Sequence, residues 1–124
     1  MYEQPRILVI DDDESIRTTM AAILESEGYD VDTAENGKEA IKKSNADLYR
    51  VAVIDFRLPD MKGTELLTAL RETTPKMAKI MVTGYPTVQN AIECVNKHAD
   101  AYFLKPVDYE ALLNTIRNLI QKQK

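Results

Sequence analysis

Acidic residues stand together at Asp11, Asp12 and Asp13 and again at Asp55, with a threonine at Thr83 and a lysine at Lys105. Each group closes or directly follows a short apolar run: Ile7-Leu8-Val9-Ile10, Val51-Ala52-Val53-Ile54, Ile80-Met81-Val82 and Ala101-Tyr102-Phe103-Leu104. Brought to one place, such carboxylates repel one another unless a cation or protons intervene. Hard oxygen ligands without His or Cys suit Mg²⁺ (or Mn²⁺), which binds through few carboxylates and keeps several waters. A lysine on the far side can neutralise a phosphoryl oxygen, and a threonine hydroxyl can donate to another. A carboxylate in that setting is suited to accept a phosphoryl group as an acyl phosphate.

Other chemistries are poorly served. The single cysteine, Cys94, cannot form an internal disulfide or a cysteine-based metal site, and the single histidine, His98, makes a His-rich site impossible. Cys94 reads as a passive, partly buried thiol and His98 as a surface residue near a helix end. The net charge of −4, from 20 acidic and 16 basic residues, argues against direct nucleic-acid binding, because phosphate contacts need a basic surface. No apolar run approaches the roughly 20 residues of a membrane span. The polar start, Met1 to Arg6, is no secretory signal, so the cytoplasm is expected.

The elements that must position these residues can be read from periodicity. The four runs are short, nearly all apolar and rich in β-branched or aromatic residues, as parallel strands covered on both faces are. Tyr29-Asp30-Val31-Asp32-Thr33 alternates and reads as a half-exposed edge strand. Between the strands the period becomes helical. Ile16, Met20, Ile23 and Leu24 share a face, with Gly28 as a stop. Asn36 and Glu39 resemble a capping box before Ala40 and Ile41. Leu66, Leu67 and Leu70 form a stripe; Val88, Ala91, Ile92 and Val95 form another. Tyr109 to Ile120 carry the longest stripe, with Asp108 as N-cap. Strand and helix thus alternate five times, which predicts an α/β fold: one doubly wound (βα)5, flavodoxin-like parallel sheet in the order 2-1-3-4-5. In 124 residues this is a single domain over 1–124, with 1–5 and 121–124 as polar tails. In such sheets ligands bind beyond the carboxyl ends of the strands, at the switch point between the first and third strands. Every candidate residue lies at that edge.

The segments Ile7-Leu8-Val9-Ile10-Asp11-Asp12, Asp55-Phe56-Arg57-Leu58-Pro59-Asp60-Met61-Lys62-Gly63, Met81-Val82-Thr83-Gly84 and Tyr102-Phe103-Leu104-Lys105-Pro106 together resemble the receiver domain of two-component response regulators (the CheY-like superfamily) over essentially the whole chain. The resemblance implies a phosphoprotein of phosphorelay signal transduction rather than a metabolic enzyme. It makes Asp55 the phosphoacceptor, receiving its group from a partner histidine kinase or phosphotransfer protein. It places Mg²⁺ (or Mn²⁺) on Asp11, Asp12, Asp55 and the backbone carbonyl of Arg57. It makes Thr83 and Lys105 ligands of the phosphoryl group and Tyr102 the aromatic that changes rotamer with Thr83. It expects a cis Lys105–Pro106 bond, and Asp13 as a helix-start residue. The surface of the fourth helix, fifth strand and fifth helix is then the one that switches, toward an output domain, a target protein or a phosphorylation-dependent homodimer.

Arg57 and Tyr85 stand two residues beyond Asp55 and Thr83, at positions that in the family tune loss of the acyl phosphate. Two bulky groups there predict a long-lived phosphoryl state. Lys62 replaces a residue that is often acidic in the family. A degenerate, purely protein-binding receiver is the competing reading, but it would be expected to have lost part of the acid–threonine–lysine set. A Mg²⁺-dependent phosphohydrolase with an aspartate nucleophile typically needs an acid where Arg57 stands, and Arg57 cannot donate a proton usefully. A flavodoxin-like cofactor binder lacks a phosphate loop after the first strand.

Overall fold

In this computed structural model, which describes residues 4–85 and 87–123, the apolar runs become the strands β1 (Arg6–Ile10), β3 (Val51–Asp55), β4 (Ala78–Thr83) and β5 (Ala101–Leu104). The alternating segment becomes β2 (Asp30–Ala34). All pairings are parallel, in the order β2-β1-β3-β4-β5. The helices α1 (Glu14–Ser26), α2 (Gly37–Ala46), α3 (Gly63–Thr73), α4 (Val88–Asn96) and α5 (Tyr109–Lys122) provide the crossovers. Parallel strands cannot be joined by tight turns, so each connection carries a helix back over a face of the sheet.

Successive strand residues point to opposite faces, and the core divides accordingly. Ile7, Val9, Val51 and Val53 pack with Met20, Leu24, Leu112 and Ile116 of α1 and α5. Leu8, Ile10, Ala52 and Ile54 pack with Ala40, Leu66, Leu67, Leu70 and Cys94 of α2, α3 and α4. Each buried Val, Leu, Ile or Met among them contributes about 1.5–3 kcal/mol through burial.

The helix boundaries follow the expected signals. Asp13, Asn36 and Asp108 cap α1, α2 and α5 by accepting from the N–H groups of Ile16, Glu39 and Ala111. The expected capping box of α2 is only half formed, because the Glu39 side chain turns toward Lys43 (3.7 Å). Gly28 ends α1 with φ +92°, where a side chain would be strained. His98, exposed just past α4, takes the same left-handed conformation (φ 65°) without being glycine.

Four expectations need correction. The stripe on α4 does not face the sheet: Val88 and Val95 are 79% and 71% exposed, and Ile92 is also exposed. Cys94 is the helix's buried residue, fully rather than partly covered. β5 is the second edge strand, so Leu104 is exposed instead of covered on both faces. Residues 121–123 do not trail off as a tail, because α5 runs through Lys122 and Gln123 exchanges hydrogen bonds with Arg50 (2.6 and 2.8 Å). Residues 1–3 and 124 lie outside the described part.

Candidate functional site

The ends of β1, β3, β4 and β5 meet at one edge of the sheet, as parallel pairing in register requires. Asp11 leaves β1 with its N–H held by Ala34 of β2 (3.1 Å). It is 4% exposed, Asp55 is 7% exposed and Thr83 is fully buried. Asp12 is exposed beside them. Carboxylate oxygens of Asp11, Asp12 and Asp55 all lie within 4.8 Å of one another. The Lys105 ammonium reaches them from the end of β5, 2.9 Å from Asp11 Oδ2 and 3.3 Å from Asp55 Oδ1. The Lys105–Pro106 bond is cis, as expected.

The electrostatics follow from this crowding. Burial and the neighbouring Asp11 charge push the Asp55 carboxyl up to about 6, against the pull of Lys105 and of the Arg57 backbone. Burial alone would lower Lys105; its hydrogen bond to Asp11 and the nearby Asp55 charge outweigh that and hold it protonated.

The donor set fits a small divalent cation. Three carboxylates with no His or Cys among them are the hard oxygen donors that Mg²⁺ takes. Among the described residues the Arg57 carbonyl accepts no hydrogen bond outside the helices and strands. Arg57 faces Lys62 in an isolated antiparallel bridge whose hydrogen bonds are made by the flanking residues, Gly63 to Phe56 and Leu58 to Met61 (2.7 and 3.3 Å).

The remaining predicted residues surround this cluster. Thr83 Oγ1 accepts from the Tyr85 N–H (2.9 Å). Tyr102 is half-buried, and its hydroxyl is enclosed without a protein partner among the described residues. The Arg57 guanidinium lies 3.8 Å from the centroid of the Tyr85 ring, and both line the cleft that holds Asp11, Asp12, Asp55 and Lys105. A larger cavity of about 740 Å³ opens at the opposite end of the sheet, between Leu48, Tyr49, Pro75 and Met77, and brings none of these residues together.

Sequence reasoning gave no role to three residues that support the cluster. Arg17 donates to the Asp11 carbonyl from α1 (2.7 Å). Its signal is a cation one helical turn after Asp13. Gly63 lets α3 start against the end of β3, since a Cβ there would stand 2.4 Å from the Asp55 carbonyl oxygen and 2.8 Å from Phe56 Cα. Asp60 accepts from the Gly37 and Lys38 N–H groups, both at 2.9 Å. No pattern in the chain announces that contact.

Five strands in this order, with acids, threonine and lysine at their carboxyl ends, define a receiver domain of the CheY-like type. The family model for the response regulator receiver domain matches residues 7–117, and the chain belongs to that family. The transcriptional regulatory protein ZraR of Klebsiella oxytoca is 34% identical over 114 residues, 92% of this chain but 26% of ZraR. The chain therefore spans about a quarter of the length of that relative. A CheY-like receiver domain protein from Methanospirillum hungatei JF-1 superposes with a TM-score of 0.94 at 41% identity, over 98% of this chain and 97% of that one. The beryllofluoride-activated NtrC4 receiver domain, solved in solution as a dimer, superposes with a TM-score of 0.90 at 36% identity, over 96% and 98% of the two chains.

Proposed function

We propose that this receiver is a phosphorylation-controlled switch in which Asp55 takes a phosphoryl group from the phosphohistidine of a partner histidine kinase or phosphotransfer protein. The observation that carries this reading is Lys105, whose ammonium reaches Asp11 and Asp55 (2.9 and 3.3 Å) beside the acid cluster. A buried carboxylate between an ammonium and a cation site is a receptacle for a dianion. An Asp55 oxygen forms the new bond to phosphorus as the phosphorus–nitrogen bond breaks, and the imidazole keeps that electron pair. Asp11, Asp12, Asp55 and the Arg57 carbonyl would hold Mg²⁺ (or Mn²⁺), which neutralises charge on the phosphoryl oxygens. Lys105 passes from a carboxylate oxygen to a phosphoryl oxygen. Thr83, now accepting from Tyr85, still has its hydroxyl proton to donate to the same group.

The consequence is carried to the surface of α4, β5 and α5. Tyr102 has an enclosed hydroxyl to satisfy, which favours a change of rotamer when Thr83 moves. The exposed Val88, Ile92, Val95 and Leu104 give that surface an apolar patch for an output domain, a target protein or a second copy. Among the described residues no helix is long and apolar enough to cross a membrane. A cytoplasmic site of action follows from the phosphohistidine donor.

The test is intact mass after incubation with acetyl phosphate and Mg²⁺. We expect one added phosphoryl group, lost with EDTA and in Asp55→Asn. The decay of that adduct should quicken when Arg57 and Tyr85 are both changed to alanine, because their stack screens the acyl phosphate from water. No adduct, together with no response to beryllofluoride in the NMR shifts of Thr83 and Tyr102, overturns the switch reading.

A further inference from the structure

The loop from Arg57 to Lys62 carries the one backbone group assigned to the metal, and its outer end is tied to a helix that contributes nothing else to the site. Both carboxylate oxygens of Asp60 are engaged, one by the Gly37 N–H and one by the Lys38 N–H, at 2.9 Å each. These are the first residues of α2, which lies 22–23 positions earlier in the chain. The helix end favours the negative charge that binds it. Met61 packs against the same spot, since a Cβ on Gly37 would stand 2.4 Å from its sulfur. The inner end of the loop is fixed separately: Phe56 donates to Val82 (2.8 Å) and accepts from Gly63 (2.7 Å). Between the two anchors lie Arg57, Leu58 and Pro59, and proline stiffens so short a span.

We infer that Asp60 is a positioning residue for the metal site, holding the Arg57 carbonyl in place through the N-terminus of α2. This rests on the reading of Asp11, Asp12, Asp55 and Arg57 as the cation site. Residues behind metal ligands commonly set affinity as strongly as some ligands do. α2 already has its own cap in Asn36, which accepts from Glu39 N–H (2.8 Å), so a role for Asp60 in that helix alone can be separated experimentally.

The experiment measures Mg²⁺ affinity by calorimetry for the wild type, Asp60→Ala, Asp60→Asn and Asn36→Ala, well below their melting temperatures and at low and high salt. Amide exchange of residues 57–62 is followed in EDTA. Asp60→Ala should weaken Mg²⁺ binding by about tenfold at both salt concentrations. It should also speed exchange in the loop. Asp60→Asn keeps one acceptor oxygen and should fall between. Asn36→Ala should lower the melting temperature and leave Mg²⁺ affinity unchanged. The inference is overturned if Asp60→Ala binds Mg²⁺ like the wild type, if Asn36→Ala weakens binding equally, or if the loss disappears at high salt, which marks a screened charge effect. A wild type that binds no Mg²⁺ overturns the site reading itself, an outcome distinct from a bound wild type with an unaffected variant.

Discussion

Asp55 is held in a state that costs stability. Its carboxyl stands near 6, above the ordinary value of 3.8, because burial and Asp11 penalise the charge. Between those values the folded protein binds more protons than the unfolded chain, so stability falls as pH rises through that window. The stability that protonated Asp55 contributes is complete below about pH 4 and lost above about pH 6. In EDTA, Asp55→Asn should therefore be more stable than the wild type by about 1–3 kcal/mol at pH 7 and equal to it at pH 4. Urea unfolding at the two pH values checks this, and an equal gain at both would assign it to something other than the charge. Asp11, Asp55, Thr83 and Lys105 were legible in the sequence because each follows a run whose strand character is unmistakable. Arg17 and Asp60 were not, because their partners are backbone groups of other elements, and side-chain type carries no trace of them.

The least secured element is α4. It buries Cys94 and leaves Val88, Ile92 and Val95 to solvent. Polar ties do much of the holding: Thr64 of α3 donates to Glu93, and Asn90 donates to the Tyr85 carbonyl (2.8 Å). Periodicity grouped the α4 residues onto faces correctly, yet which face meets the sheet depends on a partner that periodicity does not encode. The stripes of α3 and α5, Leu66-Leu67-Leu70 and Leu112-Ile116-Ile120, were read correctly because they have the sheet as their partner, although α5 runs past its expected end. Loosely held segments open well before the whole molecule unfolds. The Cys94 thiol, pushed up to about 11 by burial, is inert while α4 is seated. Labelling of Cys94 by a disulfide reagent at pH 8 should therefore report α4 opening. Thr64→Val should raise the labelling rate several-fold, by about the free energy of one hydrogen bond, while changing the urea midpoint little. Equal rates would show that the Thr64–Glu93 tie does not hold the helix.

At the scale of the molecule, the chemistry sits at one end of the sheet and the exposed apolar patch along one edge, on α4 and β5. The exposed patch of Val88, Ile92, Val95 and Leu104, proposed above as the surface that can take a second copy, carries a concrete expectation. Addition of beryllofluoride and Mg²⁺ should shift the protein toward a dimer in light scattering. Ile92→Arg should abolish the dimer and leave the mass of the phosphoryl adduct unchanged; a dimer that survives would place the contact elsewhere. The sheet order also has a bearing on errors. Lys105 finds Asp11 across 94 positions of chain, and β5 must already lie against β4 for the two to meet. A copy that is truncated, or whose last strand has not docked, keeps its acids and its acceptor but has no ammonium to receive the incoming group. Under the proposed switch, such a copy would be silent rather than stuck in the active form. Competence to carry the signal would then double as proof of having folded, and damaged molecules would withdraw without sending a false message.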